Sequence, residues 1–145
     1  MLGTDPEFFV LNTSGKPVPA WKYFPSKEQK INAIITGDSR PRGQFFRDGY
    51  VLEVNTAPES CRGRFGNALR DTIREAKKLL PGGYSLSTNA AMEVSLKDMV
   101  GAPPDCQVFG CDPSFNAYEE AEFSVDLDPA RHPLRYAGGH MHCSA

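Results

Sequence analysis

The chain has 145 residues, 40% of them hydrophobic, with 16 basic and 18 acidic residues and a formal net charge of −2. This length predicts one domain spanning residues 1–145. The net charge argues against a nucleic-acid partner. No apolar run reaches the roughly 18 residues of a membrane span, so we expect no membrane partner. The start, MLGTDPEFFV, lacks the basic and long apolar regions of a signal peptide, so we expect a cytoplasmic protein.

The first third of the sequence predicts extended segments joined by turns. Residues 3–11 form the first expected strand, and NTSGKP closes it with Gly15 at the position that favours a positive φ. VPAWKYF is expected to pair back as a second strand, and INAII to be a short third one. QFFRDGYVLEVN predicts a hairpin around the turn pair Asp48-Gly49.

One amphipathic helix is expected after Ser60, its predicted N-cap. Its apolar positions recur at intervals of three or four, and PGG ends it. They are Phe65, Ala68, Leu69, Ile73, Ala76, Leu79 and Leu80.

The remaining sequence alternates short elements with irregular chain. YSLSTN predicts a strand and SLKDMV a helical turn, while residues 101–133 form an irregular excursion in which EFSVDL is a candidate strand. LRYAGGHMHCS closes the chain as one strand. The four cysteines lack CxxC spacing, so we expect reduced thiols: Cys61, Cys106, Cys111 and Cys143.

Polar and apolar residues alternate along three of the predicted strands, so each strand has two unlike faces. The expected fold is α+β: an antiparallel sheet with the helix packed on its apolar face and a polar face opposite. The apolar positions are Phe8, Val10, Leu52, Val54 and Met141. The polar face collects Asp5, Glu7, Glu53, Asn55, His140 and His142.

The polar face predicts a cation site. Neighbouring strands lie about 4.8 Å apart, so carboxylates and imidazoles on adjacent strands can share one ion. Glu7 and Glu53 would otherwise repel each other. Mixed carboxylate and imidazole ligation suits Mg²⁺ or Mn²⁺ that carries nucleotide phosphates. The alternative is an ordinary solvated sheet face without a function.

Five blocks of the sequence resemble, in order, phage-type carboxylate-amine ligases (COOH-NH2 ligase type 2), a family with a glutamine-synthetase-like catalytic fold. The blocks are GTDPEFFV, FPSKE, DGYVLEVNTAP, FGCDPSFNAY and RYAGGHMH. The resemblance covers the whole chain. It implies an ATP-dependent enzyme that joins a carboxyl group of a small molecule or peptide to an amine, at the concave face of an antiparallel sheet.

The resemblance also implies roles for individual residues. Glu7 and Glu53 would be metal ligands and catalytic residues, with His140 or His142 contributing to the metal or nucleotide site. Asn55 would orient a ligand beside Glu53. Lys27 and Arg135 would contact phosphate or carboxylate groups, Arg135 as part of the catalytic set. The implied cofactors are ATP and Mg²⁺ or Mn²⁺.

The sequence departs from the family pattern at its end. Relatives continue past the paired histidines with further acidic residues and arginines, whereas this sequence stops at Ala145. We therefore expect the N-terminal portion of a longer ligase, or a short degenerate member that binds ligands without catalysis. A metal-dependent hydrolase using the same histidine and glutamate face is the enzymatic alternative. The sequence gives no indication of oligomeric state.

Overall fold

The computed structural model describes residues 1–35, 39–107, 115–116, 118, 120–122 and 127–144. The helices within these residues are α1 (Arg62–Lys77) and α2 (Leu96–Met99). The strands are β1 (Leu2–Thr4), β2 (Glu7–Leu11), β3 (Pro17–Val18), β4 (Ile31–Ala33), β5 (Gly43–Asp48), β6 (Val51–Thr56), β7 (Ser85–Ser87), β8 (Ala91–Glu93), β9 (Phe115–Asn116), β10 (Ala121–Glu122), β11 (Leu134–Tyr136) and β12 (Met141–Cys143). No helix in the described ranges combines the length and the apolar character needed to cross a bilayer.

The main sheet has the strand order β3-β2-β6-β5-β4, and β7 also pairs with β2. Three two-stranded sheets accompany it: β1 with β12, β8 with β11, and β9 with β10. Every strand pair described is antiparallel. The prediction of an α+β protein with antiparallel sheets and one principal helix is confirmed.

The hairpin of β5 and β6 forms the centre of the main sheet. Asp48 pairs with Val51, so the loop consists of Gly49 and Tyr50, one residue later than predicted. Gly49 has a φ of +52°, a left-handed conformation that glycine adopts without a steric penalty. The predicted hairpin is confirmed, and its two-residue loop fixes the register of the two strands.

Helix α1 packs against one face of this sheet. Its N-cap is Cys61 rather than the predicted Ser60: Cys61 has the extended backbone of a cap, and its Sγ accepts the backbone N–H of Arg64 at 3.5 Å. The helix ends at Lys77, ahead of PGG. The apolar cluster that the helix and the sheet enclose includes Phe8, Val10, Phe45, Leu52, Val54, Leu69, Ile73 and Ala76.

Prolines interrupt two predicted strands because they lack the N–H that a ladder needs. The first expected strand divides into β1 and β2 at Asp5 and Pro6. VPAWKYF contributes only Val18 to β3, and after Pro19 the chain turns into a 3₁₀ helix at Ala20–Lys22.

A second apolar cluster covers one end of the opposite sheet face. Its buried members are Phe9, Tyr50, Val51, Val94, Met99, Ala102 and Cys106. Helix α2 confirms the predicted helical turn in SLKDMV, whereas β8 was not predicted. Within EFSVDL, residues 123–126 lie outside the described part of the chain. The other end of this sheet face carries the polar residues.

The prediction of one closing strand was wrong, because the chain forms two strands with different partners. β11 pairs with β8, and β12 pairs with β1. Between them, Gly139 has a φ of +155°, and a Cβ there would lie 2.9 Å from Cα of Pro6. Met141 is 61% exposed rather than buried, because β12 belongs to the small sheet with β1 and not to the main sheet that α1 covers.

Candidate metal centre

The two glutamates predicted as metal ligands face each other across adjacent strands. Glu7 on β2 pairs directly with Glu53 on β6. Opposed residues in an antiparallel pair have Cβ atoms about 5 Å apart, so like charges at these positions destabilise the sheet unless a proton or a cation intervenes. Glu53 is only 8% exposed, so water screens little of this repulsion.

Asp48 adds a third carboxylate to the pair. Each of Glu7, Asp48 and Glu53 offers an oxygen, and these oxygens all lie within 4.8 Å of one another. The set is called the acid triad below. Among the described residues, it is the group of three or more His, Cys, Asp or Glu side chains whose potential metal-ligating atoms lie this close together.

The acid triad holds protons more tightly than isolated carboxylates do. Burial raises the pKa of Glu53 to about 7, despite the hydrogen bond from Asn55. Burial also raises the pKa of Asp48 and of Glu7. A hydrogen bond with Glu53 lowers the pKa of Asp48, against the larger effect of burial. This direction is expected when the protonated carboxyl of Glu53 donates to the ionised carboxylate of Asp48. One proton therefore offsets part of the negative charge.

Side-chain amides extend the polar face from the acid triad toward β4. Nδ2 of Asn55 donates to Oε1 of Glu53 at 3.0 Å, so Asn55 lies beside Glu53 as the sequence predicts. Gln44 pairs with Asn55 across β5 and β6, and its Nε2 donates to Oδ1 of Asn32 on β4 at 3.0 Å. The hydrogen bond from Asn55 restricts the orientation of the Glu53 carboxylate.

Lys27 lies near the acid triad on a 3₁₀ helix, Lys27–Gln29. Its positive charge lowers the pKa of Asp48 and of Glu53, against the larger effect of burial on each. The residue from FPSKE therefore lies within electrostatic range of two triad carboxylates.

The paired histidines contact Asp5 rather than the acid triad. Nε2 of His142 lies 3.1 Å from Oδ2 of Asp5, and Nδ1 of His140 lies 3.4 Å from Oδ1. The backbone N–H of His140 donates to the same Oδ1 at 2.5 Å. Burial alone would raise the pKa of Asp5, but the contacts with His140 and His142 outweigh it and lower the pKa.

Two backbone contacts join the histidine group to the acid triad. The N–H of Gly138 donates to Oε2 of Glu7 at 2.7 Å, and the N–H of Glu7 donates to the carbonyl of Gly138 at 2.9 Å. The charges of Asp5 and His140 both act on Glu7. The structure thus brings the predicted residues to one region but divides them into two neighbouring groups.

Arg135 is buried and bonded to the main chain. It is 4% exposed, and its guanidinium donates to the carbonyls of His132, Leu134 and Pro129 at 2.7, 2.7 and 2.5 Å. These contacts favour a role in holding the chain ahead of β11. The substrate contact that the resemblance implies for Arg135 stays a prediction.

Asp48 is the member of the acid triad that was not predicted as a ligand, because its place in the sequence indicates a turn residue. The signal was present: a two-residue loop after Asp48 places Gln44, Phe46 and Asp48 on the face that carries Glu53 and Asn55. The strand register, rather than the residue type, therefore identifies Asp48 as a candidate ligand.

Neither a scan against models of protein families nor a search of curated protein sequences finds a match to this chain. The family resemblance therefore rests on the five quoted blocks.

The contacts of Asp5 lead to a prediction about β12. Asp5→Ala removes the acceptor for the N–H of His140 and the partner of His142, which costs about 1–2 kcal/mol locally. We expect amide exchange in Met141–Cys143 to accelerate about tenfold, while amides of β5 and β6 keep their protection. Asp71→Asn, which removes a carboxylate that pairs with Arg74 on α1, is the control. Unchanged exchange in β12 would show that Asp5 does not hold this strand.

Proposed function

We propose that the acid triad of Glu7, Asp48 and Glu53 binds Mg²⁺ or Mn²⁺. The observation that carries this proposal is the convergence of three carboxylates from three adjacent strands within 4.8 Å. Carboxylate oxygens are the donors that these ions prefer, whereas zinc sites favour nitrogen and sulfur. The elevated pKa of Glu53 supports the same conclusion, because an ion would replace the proton that this buried carboxyl retains.

We further propose that the protein is an ATP-dependent carboxylate-amine ligase with a glutamine-synthetase-like catalytic fold. The spatial arrangement of the resembling blocks supports this assignment. GTDPEFFV supplies most of β1 and β2, DGYVLEVNTAP supplies β6, and RYAGGHMH supplies most of β12. β2 pairs with β6 in the main sheet, and β1 pairs with β12 in a separate two-stranded sheet. FPSKE supplies Lys27 at the edge of the acid triad.

The proposed reaction has two steps. A substrate carboxylate oxygen attacks the γ-phosphorus of ATP, the bond to the β-γ bridging oxygen breaks, and ADP leaves. The amine nitrogen then attacks the carbonyl carbon of the acyl phosphate, inorganic phosphate leaves, and the nitrogen loses one proton. The bound ion would offset the negative charge of the phosphate oxygens.

The residues of the chain would bind and orient the reactants. Glu7, Asp48 and Glu53 would hold the ion, and Asn55 would fix the Glu53 carboxylate. The ammonium of Lys27 would contact an anionic group. Asp5, His140 and His142 form a second carboxylate and imidazole group that would contact the nucleotide phosphates or a second ion.

The test measures binding and turnover on the full chain. We expect one Mn²⁺ ion to bind at the acid triad and the protein to bind the Mn²⁺ complex of ATP. Release of ADP should require both a carboxylate and an amine substrate. Asp48→Asn should weaken Mn²⁺ binding at least about tenfold, since it removes a charged ligand. Asp71→Asn serves as the control for charge removal.

Other outcomes would redirect the assignment. Hydrolysis of an amide or ester with bound metal and without ATP would favour the hydrolase alternative. Binding of Mn²⁺ and nucleotide without turnover would favour the degenerate binding domain. Wild-type Mn²⁺ affinity in Asp48→Asn would exclude the acid triad as the ion site.

A further inference from the structure

An aromatic ring lies in the middle of the acidic sheet face. Phe46 is on β5 directly opposite Glu53, in the row that continues across to Glu7. It is 1% exposed. A phenyl ring at this position provides no ligand for a cation in the acid triad, so its place among the acids needs another explanation.

The ring of Phe46 holds the ammonium of Lys27. Nζ of Lys27 lies 5.7 Å from the ring centroid, within the range of a cation–π contact. The N–H of Arg47 donates to the carbonyl of Pro25 at 2.9 Å, which ties the chain before Lys27 to β5. The described residues include no carboxylate within ion-pair distance of Lys27 Nζ, although its charge reaches Asp48 and Glu53.

We propose that Phe46 is a positioning residue that keeps the Lys27 ammonium at the edge of the acid triad and out of it. Without the ring, a flexible lysine chain beside three carboxylates would ion-pair with them and compete with the metal ion. When the ammonium of Lys27 lies over the ring, its N–H groups can donate hydrogen bonds to an anionic ligand.

This arrangement defines the ligand class. The ion in the acid triad and the ammonium of Lys27 present two neighbouring positive centres, and a polyanion can bridge them with different oxygens. The terminal phosphates of a nucleoside triphosphate have this chemistry. The inference rests on the proposed function, but its first test requires only Mn²⁺.

That test is a double-mutant cycle for Mn²⁺ affinity in the absence of nucleotide. Phe46→Leu should weaken Mn²⁺ binding about threefold, because the released ammonium competes for the acid triad. Lys27→Met should strengthen binding about threefold by removing a repelling charge. In the Lys27→Met background, Phe46→Leu should have no further effect, a coupling that loss of packing alone would not produce.

The second measurement is the affinity for the Mn²⁺ complex of a non-hydrolysable ATP analogue. Lys27→Met and Phe46→Leu should each weaken this binding about tenfold, whereas Lys27→Met strengthens binding of the ion alone. Lys30→Met controls for removal of a nearby charge. Phe45→Leu, one residue away on the face under α1, controls for the loss of a buried ring.

The outcomes separate this inference from the ligase proposal. If the wild-type protein binds Mn²⁺ and the analogue, and Phe46→Leu binds both with wild-type affinity, only the inference about Phe46 is wrong. It is also wrong if the Phe46→Leu effect persists without Lys27 or if Phe45→Leu reproduces it. If wild type binds no Mn²⁺, or Mn²⁺ but no analogue, both proposals are overturned.

Discussion

Replacing Glu53 with glutamine is expected to abolish binding of Mg²⁺ and Mn²⁺ and, in metal-free protein at pH 8, to stabilise the fold. The folded-state pKa of Glu53, about 7, lies above its ordinary value of 4.5, so the folded protein binds this proton more tightly than the unfolded chain. The stabilising contribution is complete below about pH 4.5 and is lost as the pH rises through about 7. The loss at pH 8 is on the order of 3 kcal/mol.

Urea unfolding at pH 5 and pH 8, with chelator or with Mg²⁺, measures this effect. Metal-free wild type should lose stability between the two pH values, and Mg²⁺ should restore much of it at pH 8 by binding only the folded state. Glu53→Gln should not respond to Mg²⁺ and should exceed wild type by about 2 kcal/mol at pH 8 in chelator. It should lose less stability than wild type between the two pH values, with a remainder from Glu7 and Asp48, whose pKa values burial also raises. Glu75→Gln, which removes a partly exposed carboxylate that pairs with Lys78 on α1, should differ from wild type by no more than about 1 kcal/mol and should keep both responses. Equal stability of metal-free wild type at both pH values would contradict this account.

Replacing Gly43 with alanine is expected to destabilise the fold by about 3 kcal/mol. An added Cβ would lie 2.4 Å from the carbonyl oxygen of Asn55 and 2.5 Å from Oγ1 of Thr72. The first atom belongs to the paired strand β6 and the second to α1, where Thr72 donates to the carbonyl of Ala68 at 2.8 Å. The carbonyl oxygen cannot move without separating the hairpin, and Oγ1 can rotate away only by giving up its hydrogen bond to Ala68.

The matched control for this substitution is Gly66→Ala in α1. A Cβ at Gly66 meets no atom within 4 Å, so alanine should stabilise the helix by about 0.5–1 kcal/mol. Thermal unfolding should therefore place the two variants on opposite sides of wild type. Wild-type stability in Gly43→Ala would show that strand and helix are not in such close contact.

The local elements could be predicted because their signals are local. The hairpin around Gly49 follows from a turn dipeptide between alternating runs, and α1 follows from apolar positions at helical spacing. The division of the closing strand could not be predicted, because it depends on β8 and β1 as partners far away in sequence. Pro6 and Gly139 mark where the chain bends, but their residue types do not specify which strands the chain pairs with after each bend.

The candidate site was predictable in composition but not in grouping. Alternation places Glu7, Glu53 and Asn55 on one face, as the structure has them. The histidines were expected to join these acids, yet pairing of β12 with β1 brings them to Asp5 instead. Asp48 was missed because its role depends on strand register rather than on a turn motif.

The contact between Glu7 and Gly138 joins residues 131 positions apart in the chain. During synthesis on a ribosome, all three acid-triad residues emerge long before the paired histidines. The hairpin and β2 can therefore bring the three carboxylates together while translation continues. Docking of β12 closes a long loop, a slow event in folding, so the nascent chain would acquire its acidic half early and its imidazole half last.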